Sequence, residues 1–243
     1  MHSPTIGFIY PDHAAEDDYP RAAALLGAAL PVAHIYGTDL HAIPELLDLG
    51  SPEKLRRGAE LLAPDEPAAV VWACTSGSFV YGPHGARGQV DSLAEAAGVP
   101  ASSTSFAFVE AARALGVRRV AVVASYPEDV ARLFVDFLAD AGIEVVSMSS
   151  AGIDTAAEVG TLTPDQVLTL AVTNDHADAE ALLIPDTAMH TLEVLPKLEA
   201  ALGKPVLTAN QVTIWEGLRL AGVTPFAPEL GALFAQGSRH VDH

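Results

Sequence analysis

The chain has 243 residues, of which half are hydrophobic and 18% are charged, and its formal net charge is −18. This composition is typical of a folded globular protein. The strong negative charge excludes a general nucleic-acid binder and a protein that adheres to anionic membrane surfaces. No apolar stretch reaches the roughly 18 residues of a membrane span, and the first residues do not resemble a signal peptide. We therefore expect a cytoplasmic protein.

Apolar runs and turn-forming residues predict strands that alternate with helices. Strands or extended segments are predicted at 5–10, 32–36, 68–73, 99–103, 119–124, 143–148, 181–185 and 205–208. Helices are predicted at 20–30, 52–63, 89–97, 104–115, 128–141, 164–172, 192–202 and 212–220. Loops are predicted at 12–18, where the acidic run 16–18 is expected to be solvated, and at 81–85. This alternation is typical of α/β folds with mostly parallel sheets, in which ligands bind beyond the carboxyl ends of the strands.

The two halves of the chain repeat the same landmarks in the same order. A Gly-x-Pro turn, a short spacer and a helix occur at 98–117 and again at 203–223. The strand that ends at Cys74 has its counterpart in the strand that ends at Asp186. We predict two similar α/β lobes, 1–117 and 118–243, with the C-terminal tail able to pack back on the first. The duplication places Cys74 and Asp186 in the cleft between the lobes, a favoured position for small-molecule sites.

Cys74 is the only cysteine of the chain, which excludes an internal disulfide and a cluster of thiolate metal ligands. It ends an apolar run and is followed at once by Thr75, Ser76 and Gly77. A buried strand that runs into such a turn exposes backbone amides, which bind anions and favour a thiolate. The alternative is a small hydrophobic residue that closes a core strand. No histidine pair or carboxylate cluster with metal-ligand spacing is evident, so no metal is predicted.

Three stretches resemble the aspartate/glutamate racemase superfamily, in its branch of arylmalonate decarboxylases and maleate isomerases. They are 69–79 with Cys74, Thr75 and Ser76, then 111–124 leading to Tyr126, and 191–221. The resemblance implies two pseudosymmetric Rossmann-like lobes and catalysis without a metal or organic cofactor. It implies that Cys74 is the first-lobe catalytic cysteine. Thr75, Ser76 and Tyr126 would bind carboxylate or enediolate oxygens, and Thr187 would add a further substrate contact.

The sequence departs from this family at three positions. Asp186 stands where the second lobe has its cysteine, and Ala14 and Ala156 lie near the positions of the asparagines that bind carboxylates in maleate isomerases. Arylmalonate decarboxylases keep the second-lobe cysteine, so this chain has the mirror arrangement, with protonation from the opposite face. Asp186 has two interpretations: a catalytic group, or an N-cap for a helix over 187–195.

The expected function is cofactor-independent decarboxylation of a small activated malonate or related acid. Cys74 would protonate the enediolate, donors on Thr75, Ser76 and Tyr126 would stabilise its charge, and an apolar pocket would destabilise the leaving carboxylate. One alternative is a maleate isomerase-like or racemase-like enzyme of a small dicarboxylate, and another is a non-catalytic carboxylate-binding protein. The partner is a small carboxylic acid rather than nucleic acid or membrane, and the apolar helices are compatible with a homo-oligomer.

Overall fold

Each half of the chain forms a four-stranded parallel sheet in the computed structural model, which describes residues 4–11 and 13–236. The first sheet has the order β2-β1-β3-β4 and the second the order β6-β5-β7-β8. The strands of the first sheet are β1 (Ile6–Pro11), β2 (Val32–Ile35), β3 (Ala69–Trp72) and β4 (Ala101–Ser103). Those of the second are β5 (Arg119–Ala124), β6 (Glu144–Ser150), β7 (Ala181–Ile184) and β8 (Val206–Thr208). The alternating apolar segments thus give the predicted α/β fold.

The helices connect and cover these strands. They are α1 (Asp18–Leu26), α2 (Ile43–Leu49), α3 (Pro52–Leu62), α4 (Ser76–Phe79), α5 (Gly82–Ala97), α6 (Thr104–Ala114), α7 (Glu128–Asp140), α8 (Ala156–Val159), α9 (Pro164–Thr173), α10 (Leu195–Leu202) and α11 (Ala209–Leu220). The sequence did not predict α2 or the one-turn helix α8. It also placed a loop at 81–85, where α5 already begins, because Pro83 occupies the first helical turn, in which no backbone N–H partner is needed.

The identical strand order of the two sheets matches the internal repeat seen in the sequence. β3 and β7 occupy equivalent positions, so the residues that follow them, from Cys74 and from Asp186, leave their sheets at equivalent points. Both strands are fully buried. They read as continuous apolar runs because helices cover both faces of a parallel sheet.

The last long helix, α11, packs against the first sheet although it follows the last strand of the second. Gly217 on α11 lies so close to this sheet that an added Cβ would be 2.4 Å from Ile6 Cγ2 and 3.3 Å from both Phe8 and Val71. One hydrophobic cluster therefore includes residues of both sheets. The described end of the tail, Pro228–Leu230 and Ala232–Ala235, contacts α10 and α11. The division into units at 117/118 stays a prediction.

Across residues 4–11 and 13–236, none of the helices combines the length and the apolarity needed to span a bilayer.

Candidate active site

Cys74 lies at the point where the chain leaves β3 and turns into α4. Ala73 still donates its N–H to the carbonyl of Ile9 at 2.8 Å, as a sheet residue does. The Gly77 N–H then donates to Cys74 Sγ at 3.3 Å. A Cβ on Gly77 would be 2.9 Å from the Trp72 ring and 3.1 Å from this sulfur. Glycine at 77 is therefore what lets the turn close on the thiol.

The Cys74 side chain is held as a thiol. Burial raises its pKa to about 11, against the opposing effect of hydrogen bonds from the Gly77 N–H and from Ser76, and the nearby Asp186 carboxyl also raises it. The residue is 4% exposed. The turn amides favour a thiolate, as expected, but the cost of burying the charge exceeds the stabilisation from these donors. A buried thiol keeps its proton at neutral pH and can donate it.

Asp186 follows β7 and accepts hydrogen bonds from two groups of its own lobe. Ser125 Oγ donates to Oδ2, and the Ala188 N–H donates to Oδ1 at 2.9 Å. The next helix, α10, begins only at Leu195, so the proposed helix over 187–195 is wrong. Asp186 instead fixes the turn that follows its strand, and its carboxyl group is 3% exposed. Its catalytic role stays a prediction.

Cys74, Ser76, Asp186 and Thr187 line one cavity between the two lobes, with a volume of about 40 Å³. Ser76 Oγ lies 3.8 Å from Cys74 Sγ. Segment 37–41 of the first lobe and Ala156 of the second close the cavity on its other sides. In this arrangement the free space beside Cys74 is small, on the scale of a few water molecules.

Thr75 and Tyr126 do not line this cavity but lie directly behind it. Tyr126 donates its hydroxyl hydrogen to the carbonyl of Pro185, and burial raises its pKa well above the usual value. Thr75 Oγ1 is buried beside the Tyr126 hydroxyl and has no well-formed hydrogen bond within the described part of the chain. Direct contact of Thr75 or Tyr126 with a substrate oxygen therefore requires a local rearrangement.

His41 also lines the cavity. Sequence patterns do not single it out, because it is a lone histidine in a loop. Its Nδ1 is 3.1 Å from the carbonyl of Ile153, so Nδ1 is the ring nitrogen that donates to this carbonyl. Nε2 lies 3.9 Å from Asp186 Oδ2. The ring packs edge-on against Tyr126, and the side chain is 5% exposed.

His41 and Asp186 change the expected character of the cavity. Apolar walls are present, from Pro11, Leu46 and Leu49, but they share the cavity with these two ionisable side chains. An apolar pocket around the leaving carboxylate stays a prediction, and His41 reaches the cavity because the segment that carries it folds inward to meet the second lobe. Its backbone N–H donates to the carbonyl of Asp154 at 2.8 Å.

A buried polar network supports Thr187 from behind. Its carbonyl accepts from the Tyr10 hydroxyl at 2.7 Å and from Asn210 Nδ2 at 3.1 Å. Asn210 also donates to Asp18 Oδ2 at 3.0 Å. Burial raises the Asp18 pKa to about 6. The acidic run 16–18 is thus not a wholly solvated loop, since Asp18 is only 4% exposed and joins the two lobes.

The sequence profile of the arylmalonate decarboxylase family matches residues 49–234, which is more than half of the chain. Arylmalonate decarboxylase from Bordetella bronchiseptica is 32% identical over 247 residues, covering 96% of this chain and 97% of the relative. The chain belongs to the arylmalonate decarboxylase family. A maleate isomerase from Nocardia farcinica is 29% identical over 184 residues, which is 73% of either chain. This family is the branch that the sequence motifs resembled.

Two solved structures show the same fold. A liganded arylmalonate decarboxylase variant, with one glycine changed to cysteine and one cysteine changed to serine, has a TM-score of 0.86 at 29% identity. The matched region covers 97% of this chain and 100% of the variant. Maleate isomerase from Pseudomonas putida S16, with bound maleate, has a TM-score of 0.88 at 22% identity, covering 96% of this chain and 97% of the isomerase. The predicted pair of pseudosymmetric lobes is confirmed.

Proposed function

We propose that this protein is a cofactor-independent decarboxylase of a small activated malonate, in which Cys74 protonates the carbon that loses CO₂. The observation that carries the proposal is a buried Cys74 thiol that lines the interlobe cavity in a member of the arylmalonate decarboxylase family. Relatives of this chain are named for reactions of small carboxylic acids. A cytoplasmic location and a second copy of the chain as partner stay predictions.

The reaction divides into two steps. The C–C bond to one carboxylate breaks and CO₂ leaves. The electron pair of the broken bond stays on the carbon and is delocalised into the remaining carboxylate, which gives an enediolate. The enediolate oxygens gain negative charge, which the hydroxyl of Ser76 and, after rearrangement, those of Thr75 and Tyr126 stabilise by donating hydrogen bonds. The Cys74 thiol then transfers its proton to carbon, and the resulting thiolate regains a proton from solvent.

Asp186 favours decarboxylation over retention of both carboxylates. It accepts hydrogen bonds from Ser125 and the Ala188 N–H. Among the described residues, His41 is the one basic side chain beside it. A substrate carboxylate that points towards Asp186 is repelled by it, whereas neutral CO₂ is not.

The test uses phenylmalonate in D₂O, with CO₂ release and deuterium in the product as readouts. We expect one molecule of CO₂ and one carbon-bound deuterium per turnover in the wild-type protein, and loss of at least 100-fold in kcat for Cys74→Ala, because general acid catalysis contributes about 10²–10⁴-fold. The control is His84→Ala, which removes an exposed side chain outside the cavity. Unchanged turnover in Cys74→Ala would contradict the role of the thiol. Binding of the acid without turnover would favour the carboxylate-binding alternative.

A methyl-substituted phenylmalonate tests the direction of protonation. Cys74 is the only thiol of the chain and belongs to the first lobe, so we expect a single enantiomer of the monoacid. Its hand should be opposite to that formed by an arylmalonate decarboxylase whose cysteine lies in the second lobe. A product of the same hand would show that the proton comes from the other side of the cavity.

A racemase-like or isomerase-like reaction is the second candidate, and the His41–Asp186 pair favours it. The 3.9 Å between His41 Nε2 and Asp186 Oδ2 places a second group capable of proton transfer in the cavity that contains Cys74. Racemisation needs such a group on each face of the substrate. Recovery of deuterated substrate without CO₂ release, and its loss in His41→Gln, would support this candidate over decarboxylation.

A further inference from the structure

We infer that His13, Glu16 and His34 form a binding site for a divalent transition-metal ion such as Zn²⁺, separate from the Cys74 cavity. One ligand atom from each residue lies within 4.8 Å of the other two. His34 is on β2, whereas His13 and Glu16 are in the segment between β1 and α1, here called the bridging segment (13–17). Two imidazoles and one carboxylate are a common donor set for Zn²⁺ and other divalent metals.

The separations suit a single ion. Glu16 Oε2 lies 3.1 Å from His13 Nδ1 and 2.6 Å from His34 Nε2. Ligands about 2.0–2.1 Å from a tetrahedral Zn²⁺ lie about 3.3 Å from one another. Small side-chain rotations therefore bring all three atoms to bonding distance, and a fourth position stays open for water.

Contacts outside the cluster hold both histidine rings in place. His34 packs edge-on against Tyr10, with ring centroids 6.1 Å apart, and its side chain is 18% exposed. Its Nδ1 has no partner within residues 4–11 and 13–236, so the ring has its polar contact through Nε2. His13 Nε2 lies 3.5 Å from the Tyr36 hydroxyl, which accepts a hydrogen from it when Nδ1 binds metal. The outer contact of His13 is of the kind that fixes the tautomer and orientation of a ligating histidine.

One divalent cation suits the geometry of this cluster. The rings of His13 and His34 are stacked with centroids 3.8 Å apart and share one carboxylate oxygen. One divalent cation neutralises the carboxylate and uses a lone pair from each ring. The net charge of −18 favours any cation at this surface.

Metal at this position would hold the two lobes together. The bridging segment contacts the second lobe on both sides of the cluster: Ala14 packs against its hydrophobic core, and Asp17 lies 2.8 Å from His190 Nε2. Fixing His13 and Glu16 to β2 therefore stabilises the interlobe contact, and we expect the effect on folding stability rather than on the chemistry at Cys74.

The test is calorimetric titration of Zn²⁺ into the full-length protein after removal of metal with a chelator. We expect one site in the wild-type protein and a rise in the thermal unfolding temperature on binding. Loss of a residue that only contacts a metal ligand weakens metal binding by about 10–100-fold. Glu16→Ala and His34→Ala each remove a ligand itself, so each should weaken Zn²⁺ binding by more than this. His84→Ala, which removes a histidine elsewhere on the surface, and Cys74→Ala, which removes the thiol, should bind as the wild type does.

Absence of a single Zn²⁺ site in the wild-type protein would overturn the inference, as would equal affinity in Glu16→Ala and His34→Ala. Because His34 contributes to packing against Tyr10, His34→Asn provides a variant of similar shape if His34→Ala does not fold. Loss of binding in Cys74→Ala alone would assign the metal to the thiol and would also overturn the inference.

Discussion

At the scale of single residues, the environment of Cys74 decides its chemistry. The thiol accepts from the Gly77 N–H at 3.3 Å, yet burial outweighs this donor and raises the pKa to about 11. The sequence predicted that Cys74 lies in a turn at the end of a buried strand. The balance between burial and donors could not be predicted from it, because it depends on the second lobe covering the thiol.

The raised pKa of Cys74 predicts a loss of stability at high pH. In the unfolded chain the thiol ionises near its reference pKa of 9.0, whereas in the folded protein it ionises near 11. The contribution of the protonated thiol to the free energy of unfolding is therefore fully present below pH 9. It is lost as the pH rises towards 11, because the unfolded state releases the proton first. Over this interval we expect the unfolding free energy to fall by on the order of 3 kcal/mol more in the wild type than in Cys74→Ala.

Urea unfolding of both proteins between pH 8 and pH 11 measures this difference. Cys74→Ala is the matched control because it retains the buried tyrosines, which also ionise at high pH. Parallel stability profiles in the two proteins would show that the thiol ionises equally easily in the folded and unfolded states.

At the scale of secondary-structure elements, the predicted strands were confirmed and the helix ends were less accurate. The helix predicted at 20–30 lies at Asp18–Leu26, because Gly27 adopts the left-handed conformation with φ of 61° and ends it. Helix α2 was missed because it is short and begins with Ile43 and Pro44. The packing partner of α11 could not be read from its pattern, since the same apolar face fits either sheet.

Substitution of Gly217 tests the contact between α11 and the first sheet. Gly217→Ala places a methyl group 2.4 Å from Ile6 Cγ2. We expect it to lower the unfolding free energy by about 1–3 kcal/mol, the usual cost of overpacking a core. Chemical denaturation of the purified variant measures this cost.

Gly88→Ala is the matched control for that experiment. Gly88 lies in α5, is exposed, and has no atom within 4 Å of an added Cβ. The same substitution should therefore be neutral or stabilise by up to about 1 kcal/mol through helix propensity. If Gly217→Ala behaved like Gly88→Ala, the close approach of α11 to β1 would be wrong.

At the scale of the whole molecule, the two lobes depend on each other. Helix α11 covers the first sheet, and Thr104 Oγ1 on α6 lies 2.6 Å from Thr213 Oγ1 on α11. The hydrophobic cluster that contains Phe8 and Val71 also contains Val120 and Leu183 of the second sheet. Residues from the other half of the chain are therefore needed to bury each sheet completely.

This arrangement predicts that residues 1–117 do not fold alone. Without α11, the fragment exposes the face of the sheet that contains Ile6 and Phe8. We expect a weak near-ultraviolet circular dichroism signal from Trp72, binding of a hydrophobic dye, and no sharp thermal transition. The full-length chain should unfold in one cooperative step. A fragment with a sharp transition would show that the boundary at 117 separates two independent folding units.

The sequence by itself determined the α/β class, the duplication and the family, and it indicated Cys74 as a candidate site residue, because these depend on local patterns and on spacing along the chain. The tertiary structure decided that Cys74 is a thiol, that His41 shares its cavity with Asp186, and that Tyr126 and Thr75 lie one layer behind. These features arise where segments far apart in sequence meet: His41 and the Ile153 carbonyl are 112 residues apart. Burial and contact between the lobes set the chemistry there, and neither is encoded in a local pattern.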